Sequence, residues 1–438
     1  MSTPSRPAVA TLPIAEQTPG PRPSPDKLTE GDASGQRFAA LHSRNFRMLW
    51  IGLLISNAGT WMASTAEGWL VTDLQPERSA FWLGLIAAAF AVPMLVLPPV
   101  GGAVADRVPR LRLLWIVQAT YLVLSAALAL LTILGHINVW FLLAYAFANG
   151  VTLAFDSPVR HALLPDIVSR EQLTSAVSLN SVAFTGAALV GPAIAGALIP
   201  VIGVSGVFTV NAASCLATIV ALAQLRGVPQ HRGREPHTAG VFQSIASGIT
   251  YVVSSPLLRG LLLLSFVSGL CARSYTPLLA VFAREEFRVG STAFGFLVSA
   301  GGLGTLAGAF WLASRRDVRH KGRWVMVATV SQAALLAAFA VTPWFVLALL
   351  ALVLVGFAGA IAGAMTATLI QLTVPGTLRG RVMSLYLLTL VGVPSAGALL
   401  TGVVGQAVGV RGAVAGAALA VVILASVILW RNAEIRGA

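Results

Sequence analysis

The sequence predicts an all-α integral membrane protein with twelve transmembrane helices, arranged as two pseudo-symmetric six-helix bundles. Three observations lead to this fold class. Hydrophobic residues make up 56% of the 438 residues and charged residues only 10%, whereas soluble domains average about 25% charged residues. Apolar runs of about 20 residues, the length that crosses a bilayer, recur along the chain. The two halves of the chain also share residues at fixed separations.

The apolar runs are separated by short polar turns and by Gly- or Pro-containing turns. The first six spans are predicted at 48–72, 81–105, 112–135, 138–160, 175–200 and 204–225. The second six are predicted at 257–283, 292–314, 323–342, 344–371, 382–408 and 412–431. We therefore expect a disordered cytoplasmic tail at 1–40, an N-terminal bundle at 41–225, a polar cytoplasmic linker at 226–256, a C-terminal bundle at 257–431 and a cytoplasmic tail at 432–438.

Basic residues are distributed unevenly between the two sets of alternating loops. The loops at 107–112, 160–170, 226–259, 315–323 and 379–381 hold sixteen Arg and Lys residues, and the opposite set holds four, Arg78, Arg284, Arg288 and Arg411. Because positive loops stay on the cytoplasmic side, both termini are predicted to be cytoplasmic, in a bacterial inner membrane. The net charge of +13 is thus explained by topology, and we expect no binding to nucleic acid.

Several residues repeat between the two halves of the chain. At a separation of 211 residues, the matches are Gly84 with Gly295, Asp106 with Asp317 and Arg112 with Arg323. At a separation of 206 residues, they are Ser178 with Ser384, Leu179 with Leu385, Gly191 with Gly397 and Gly196 with Gly402. Since each half has six spans, both halves enter the membrane in the same direction. This parallel repeat predicts a substrate site near the bilayer midplane, between the bundles.

The turn between spans two and three has the sequence GGAVADRVPRLR, residues 101–112. It resembles the loop signature of the major facilitator superfamily, Gly-x-x-x-Asp-Arg-x-Gly-Arg-Arg/Lys. The matching residues are Gly102, Asp106, Arg107 and Arg110, whereas Pro109 and Leu111 depart from the signature.

Longer stretches are similar to one branch of this superfamily, which contains enterobactin-type exporters and macrolide-type drug exporters. They include SRNFRMLWIGLLISNAGTWMASTAEGWLV, FDSPVRHALLPDIVSREQLTSAVSLNS, VNAASCLA and LRGRVMSLY, and the resemblance runs from about Leu41 to Trp430. It implies alternating access by rocking of the two bundles and export driven by proton entry. It does not specify a substrate.

The charged turn is expected to form part of a cytoplasmic gate. Asp106 could accept charged hydrogen bonds and face a helix N-terminus, while the arginines could bind carboxylates or helix-end carbonyl groups across the bundle seam. The resemblance also implies a counterpart at the start of span eleven. The predicted gate comprises Gly102, Asp106, Arg107, Arg110, Arg112, Asp156, Arg160, Asp317, Arg323, Arg379 and Arg381. The alternatives are that the turn only anchors the topology, and that Asp156 and Arg160 form an i,i+4 pair fixing a helix end.

A charged residue within a membrane span is costly unless it is paired or hydrated. Glu67 in span one and Arg273 in span seven are 206 residues apart and therefore equivalent in the repeat. We expect them to approach each other or to share a water-filled cavity, with Glu67 as the proton carrier. Alternatively, Glu67 lies in outer-surface water and Arg273 is a structural counter-ion. Asn57, Trp61 and Tyr275, with Trp69, are predicted to line an amphipathic pocket or, for Trp69 and Tyr275, to anchor the membrane interface.

Span five contains the stretch GAALVGPAIAG, which resembles an antiporter motif built on Gly-Pro-x-x-Gly-Gly. The matching residues are Gly186, Gly191, Pro192 and Gly196, with Ala195 in place of one glycine. Ordinary close packing of membrane helices would select similar residues.

These observations predict a secondary active transporter that exports small amphipathic molecules, drug-like compounds or secondary metabolites, by proton-coupled antiport. A siderophore exporter is the alternative, followed by a lipid transporter or a substrate sensor on a transporter scaffold. An enzyme is not expected, because the GVSG stretch at 203–206 is followed by no His in a membrane span that could activate Ser205. We expect no cofactor or metal. The expected partners are a small-molecule substrate, protons and the lipid bilayer, with the chain acting as a monomer.

Overall fold

The computed structural model describes residues 38–98, 100–101, 104, 108–225, 241–315 and 318–432. The predicted N-terminal tail, much of the linker and most of the C-terminal tail lie outside these residues. Throughout the part of the chain that the structure describes, the ordered elements are helices, and none is a β-strand.

Within the described residues, twelve helices of more than ten residues follow one another. The first six are α1 (Arg44–Leu74), α2 (Ser79–Val96), α3 (Arg110–Ile133), α4 (Val139–Ile167), α5 (Leu173–Ala223) and α6 (Val241–Ser254). The others are α7 (Pro256–Val267), α8 (Ser291–Ala313), α9 (Lys321–Val341), α10 (Phe345–Thr373), α11 (Gly376–Val408) and α12 (Val410–Arg431).

The helices account for twelve membrane crossings. Within the described ranges, ten helices are long and apolar enough to cross a membrane. One of them, α5, has 51 residues and a sharp kink at Gly203, whose φ of 71° interrupts the helix. It therefore contains predicted spans five and six. Helix α1 is more polar than these ten, but its 31 residues extend about 46 Å at 1.5 Å per residue, which is long enough to cross a bilayer. The predicted twelve-span fold class is confirmed.

Predicted span seven differs from the expected continuous helix. Helix α7 ends at Val267, a π-helical turn occupies Ser268–Ala272, and short helical turns resume at Thr276–Leu278. The physical reason is Pro277, which has no N–H and whose ring would clash with the carbonyl group four residues earlier, that of Arg273. The break places Arg273 at a helix interruption rather than within a regular helix.

Close contact between α5 and α8 joins the N-terminal bundle to the C-terminal bundle. A Cβ atom built on Gly196 would lie 2.7 Å from the carbonyl oxygen of Ser291. One built on Gly295 would lie 2.4 Å from the carbonyl oxygen of Pro192. Only residues without a side chain allow the two backbones to approach this closely.

The same contact recurs between α11 and α2. A Cβ atom built on Gly402 would lie 2.3 Å from the carbonyl oxygen of Ala80, and one on Gly84 would lie 2.6 Å from that of Ala398. The offset of 206 residues converts Gly196 into Gly402, and the offset of 211 residues converts Gly295 into Gly84. The glycines that repeat in the sequence therefore occupy equivalent positions in two equivalent helix contacts, and this confirms the pseudo-symmetric pairing of the bundles.

Candidate transport site and gates

Glu67 lies on α1 in the interior of the N-terminal bundle. The residue is 9% exposed, and its Oε1 atom has no hydrogen-bond partner among the described residues. The side chain of Tyr145, on α4, is close enough to interact electrostatically with the Glu67 carboxyl group. The structure thus places a carboxyl group without an ionic partner inside a membrane bundle.

Polar side chains from the neighbouring helices form a cluster in the same bundle. Asn211, on the second half of α5, donates a 2.8 Å hydrogen bond from Nδ2 to Ser125 Oγ on α3. Ser214 Oγ donates to the Asn211 carbonyl oxygen at 2.7 Å. Tyr145 also interacts with Ser125. These contacts form a buried polar region that connects α3, α4 and α5 beside Glu67.

Arg273 lies at the break in α7, inside the C-terminal bundle. It lines a cavity of about 20 Å³ together with residues of α7, α9, α10 and α11. The polar residues that line this cavity with it are Ser265, Ser268, Thr329, Gln332, Thr366 and Tyr386. No Asp or Glu occurs among the described residues that line the cavity, and the polar side chains that line it with Arg273 carry hydroxyl or amide groups.

The expected approach of Glu67 and Arg273 is not seen in this conformation. Across the described residues, no hydrogen bond or ion pair joins the two side chains, and each has a tyrosine of its own bundle nearby, Tyr145 for Glu67 and Tyr386 for Arg273. A cavity shared by the two residues stays a prediction.

The predicted pocket residues have different environments. Asn57 Nδ2 is buried and has no hydrogen-bond partner within the described ranges. The Trp61 ring contacts Phe184 edge-to-face, with 5.9 Å between the ring centroids. Tyr275 is only 8% exposed and packs against Phe339 at 6.3 Å. It is therefore a core residue of the C-terminal bundle, and neither an open pocket wall nor an interface anchor.

Trp69 and Arg284 lie at the end of the molecule where α1 finishes, which we call the Asp73 end. The Trp69 ring stacks on Phe294 of the other bundle at 5.9 Å. The Arg284 guanidinium lies 5.6 Å from the Trp69 ring centroid and forms an ion pair with Asp73. It also donates to Thr72 Oγ1 at 3.1 Å. Side chains from both bundles are therefore bound together at this end.

A further hydrogen bond strengthens the same contact. Ser79 Oγ, at the start of α2, donates to Glu285 Oε1 at 2.8 Å. We call the five residues that bridge the bundles here the Asp73 latch, and they are Thr72, Asp73, Ser79, Arg284 and Glu285. Sequence analysis missed the latch, because charges at the ends of spans resemble ordinary loop charges and their pairing is not local.

Three described members of the predicted cytoplasmic gate, Arg110, Asp156 and Arg160, form ion pairs within their own bundle. Arg110 Nη1 donates to Asp166 Oδ2 at 2.8 Å and to the Ala162 carbonyl oxygen at 2.9 Å, both on α4 of the same bundle. Asp156 and Arg160 form an ion pair one helical turn apart on α4. The expected contact of Arg110 across the seam is therefore wrong for this conformation. Asp156 and Arg160 form the i,i+4 pair that fixes a helix end, which was the alternative prediction.

The other described gate residues lie on α3, α9 and α11. Arg112, Arg323 and Arg379 are exposed. Arg381 lies against α6, where a Cβ atom built on Gly248 would be 3.2 Å from the Arg381 Cβ atom. The predicted gate residues Gly102, Asp106, Arg107 and Asp317 lie outside the described residues.

The motif in span five serves helix packing. A Cβ atom built on Gly191 would lie 2.7 Å from Trp61 Cβ, whereas one on Gly186 would have no neighbour within 4 Å. Gly196 and Pro192 lie at the contact with α8 described above. Two further hydrogen bonds cross this seam, from Thr292 Oγ1 to the Gly196 carbonyl oxygen at 3.0 Å and from Ser299 Oγ to that of Leu189 at 2.7 Å.

Together these features define a class of protein. Twelve spans in two equivalent bundles, a seam bonded at one end, a buried carboxyl group in one bundle and an arginine lining a cavity in the other form a multi-pass transporter of the major facilitator superfamily. A model of the transmembrane secretion effector family of this superfamily matches residues 35–437, and the chain belongs to that family.

Characterised relatives are exporters and transporters. The multidrug efflux pump Tap of Mycolicibacterium fortuitum is 28% identical over 75% of this chain and 81% of its own length. The enterobactin exporter EntS of Shigella boydii is 23% identical over 82% of this chain and 85% of its own. The staphyloferrin A transporter of Staphylococcus aureus is 28% identical over 56% of this chain, and the match spans 61% of that relative. These relatives are all membrane transporters.

Solved structures share the fold. A bacterial homologue of the human lysosomal transporter Spinster, in an inward-facing and unoccupied conformation, has a TM-score of 0.70 at 13% identity, covering 90% of this chain and 98% of its own. The nucleoside transporter NupG has a TM-score of 0.65 at 13% identity, covering 90% and 99%.

Proposed function

We propose that this protein is a secondary active exporter of small amphipathic molecules, drug-like compounds or secondary metabolites, and that it exchanges them for protons by alternating access. It acts as a monomer in the bacterial inner membrane, with both termini in the cytoplasm. The family membership and the multidrug efflux relative support the transport direction and the class of substrate. The charge difference between the loops supports the orientation.

The observation that supports proton coupling most directly is the buried environment of the Glu67 carboxyl group. Its carboxyl group is buried, and Oε1 is unpartnered within the described part of the chain. An ionised carboxylate without a partner is costly inside a bilayer, so this conformation favours the protonated form. If rocking of the bundles exposes Glu67 to water on the other side, the group can lose its proton there. One side chain then carries a proton inward during each cycle.

Alternating access also requires a seam that closes at each end in turn. The Asp73 latch bonds the bundles at the end that the loop charges predict to be external. At the opposite end, Arg110 and Arg160 bind carboxylates of their own bundle, and Arg112, Arg323 and Arg379 are exposed. This arrangement is that of an inward-facing state, and we infer that the turn containing Asp106 engages span eleven only after the latch has opened.

Substitution of Glu67 tests the coupling. Glu67→Gln keeps the shape of the side chain and removes the proton that can be released. In proteoliposomes loaded with a panel of cationic, neutral and anionic amphipathic dyes, we expect dye transport driven by a pH gradient to fall to the level measured without a gradient. Exchange of dye for dye, which needs no proton movement, should persist.

The matched control for this experiment is Glu77→Gln, because Glu77 is exposed in the turn Pro76–Arg78. It should transport as the wild type does. Full gradient-driven transport by Glu67→Gln would show that another group carries the proton, and the proposed role of Glu67 would have to be abandoned.

Siderophore export is the second candidate function. It is favoured by two relatives, the enterobactin exporter and the staphyloferrin A transporter, of which the first is matched over 82% of this chain. The same proteoliposomes distinguish the candidates when they are supplied with iron-free enterobactin. Transport of enterobactin without transport of the dyes would favour this function, and the reverse would favour the first.

A further inference from the structure

We propose that Arg273 and the polar cavity beside it bind the anionic head group of a transported molecule, such as a carboxylate. This inference rests on the proposed export function for the role of the site, but the binding itself can be tested without transport. It specifies a class of substrate, amphipathic acids, that the proposed function leaves open.

The first step in the argument is the uncompensated charge of Arg273. No Asp or Glu lines the cavity within the described ranges, and no ion pair or hydrogen bond is formed by the Arg273 side chain there. Arg273 is half-buried, and a guanidinium group inside a membrane protein is costly unless it is paired or hydrated. The carboxyl group at the equivalent repeat position, Glu67, interacts with Tyr145 in the other bundle. An anion entering the cavity would supply the negative charge that the described residues lining it do not.

The second step concerns the hydrogen-bonding capacity of the cavity. Tyr386 donates its hydroxyl hydrogen to the Gly363 carbonyl oxygen at 2.8 Å, and Thr366 donates to that of Ala362 at 2.7 Å. Those donors are already used. By contrast, the side chains of Ser268, Thr329 and Gln332 make no hydrogen bond with the rest of the described chain.

Two hydroxyl groups and an amide group are therefore free to donate beside a guanidinium group with five N–H donors. This set suits an acceptor with several lone pairs. Charge-assisted hydrogen bonds from Arg to a planar carboxylate are among the strongest that proteins form. A cation would be repelled by Arg273, and a neutral group would leave its charge unbalanced.

The third step is the size and position of the cavity. A volume of about 20 Å³ accepts one small group, since a single water molecule needs about 10–15 Å³ of the same measure. The cavity therefore accommodates a head group and not a whole drug-like molecule. The break in α7 that creates the space also removes the regular helical backbone beside Arg273. The apolar part of the molecule would remain outside the cavity.

Thermal unfolding of the purified full-length protein in detergent tests this site with two probes of nearly equal shape. Benzoate carries the negative charge, and benzamide does not. At constant ionic strength, we expect benzoate to raise the unfolding temperature saturably and benzamide to have no effect. Arg273→Gln should raise the half-saturating benzoate concentration at least about tenfold, and Arg273→Lys should give an intermediate value.

The matched control is Arg259→Gln, because Arg259 is an exposed arginine on the same helix, α7. It should bind benzoate as the wild type does. Equal responses to benzoate and benzamide, or an unchanged benzoate response in both Arg273 variants, would overturn the proposal. The lysine variant keeps the experiment informative if the glutamine variant does not fold.

Chloride distinguishes the two possible sources of the anion. If benzoate displaces chloride in a competition titration, the site accepts organic acids as proposed. Chloride protection that benzoate cannot displace would assign the cavity to a resident inorganic anion and overturn the head-group proposal. These binding measurements need no proton gradient. Benzoate binding can therefore be absent while Glu67-dependent export persists, and benzoate can bind even if Glu67 does not carry the proton.

Discussion

Removing the Arg284 side chain should weaken closure at the Asp73 end and move the protein toward its other conformation. This guanidinium group contacts three residues of the N-terminal bundle, through an ion pair with Asp73, a hydrogen bond to Thr72 and a cation–π contact with Trp69. In Arg284→Ala all three contacts are lost together. The bond between Ser79 and Glu285 and the glycine contacts of the seam remain.

The size of the effect follows from these three contacts. The side chains of Arg284 and Asp73 are 38% and 42% exposed, so their ion pair contributes at most about 1 kcal/mol. An exposed cation–π contact adds about 0.5–1 kcal/mol, and a hydrogen bond near the surface adds about 0.5 kcal/mol. A total of about 2 kcal/mol changes the ratio of two conformations about 30-fold. A state populated at about 1% would rise to roughly a quarter of the molecules.

Double electron–electron resonance, which measures the distance between two spin labels, can detect this change in the populations of the two conformations. The labels are placed at Arg170→Cys, before α5, and at Thr377→Cys, at the start of α11, after both native cysteines have been replaced by alanine. Both positions are exposed and lie at the end opposite the latch. Wild-type protein should give mainly the longer distance of an open seam. Arg284→Ala should add a shorter distance as this end closes.

The control is Arg78→Ala, which removes an exposed arginine from the same end of the molecule. It should leave the distribution of distances unchanged. If Arg284→Ala does not alter the distribution, or if Arg78→Ala alters it equally, the latch does not hold the bundles in the observed state.

Two further substitutions test the seam and the buried pair. Gly402→Val should destabilise the observed conformation by about 1–3 kcal/mol, because its Cβ atom would lie 2.3 Å from the Ala80 carbonyl oxygen. The same spin labels measure the resulting change in the distribution of distances. The control is Gly186→Val, because a side chain at Gly186 would extend into open space. Asp156→Asn should lower the unfolding temperature in detergent, since it leaves the Arg160 side chain, 12% exposed, without its partner at a cost of about 3–5 kcal/mol. Adding Arg160→Gln should restore part of the loss, and no recovery would argue against the pair.

The sequence was sufficient to predict the fold because the relevant signals are local or periodic. Apolar length is a property of each segment, so the spans could be located without any knowledge of their contacts. The repeat separations of 206 and 211 residues also proved to be structural. They relate Gly196 to Gly402 and Gly295 to Gly84, the pairs that lie at the two equivalent seams.

The features that were missed depend on the relation between distant segments. Asp73 and Arg284 are separated by 211 residues, and nothing in either local sequence indicates that they bind each other. Arg110 finds Asp166 on the next helix of its own bundle, where a partner across the seam was expected. The break at Arg273 did have a local signal, Pro277, but the apolar run around it outweighed that signal in the prediction of a continuous span.

The paired glycine contacts of α5 with α8 and of α11 with α2 have a consequence for the origin of the chain. Each half carries two contact surfaces, one on α5 or its equivalent α11 and one on α2 or its equivalent α8. The first surface of each half meets the second surface of the other half, so the two contacts are related by a single two-fold axis. That is the geometry of an isologous dimer whose subunits have been joined end to end. A six-helix precursor with one copy of each surface would close both interfaces on assembling with itself. After fusion the subunits were free to diverge, and one now carries an acid, Glu67, at the position where its twin carries a base, Arg273.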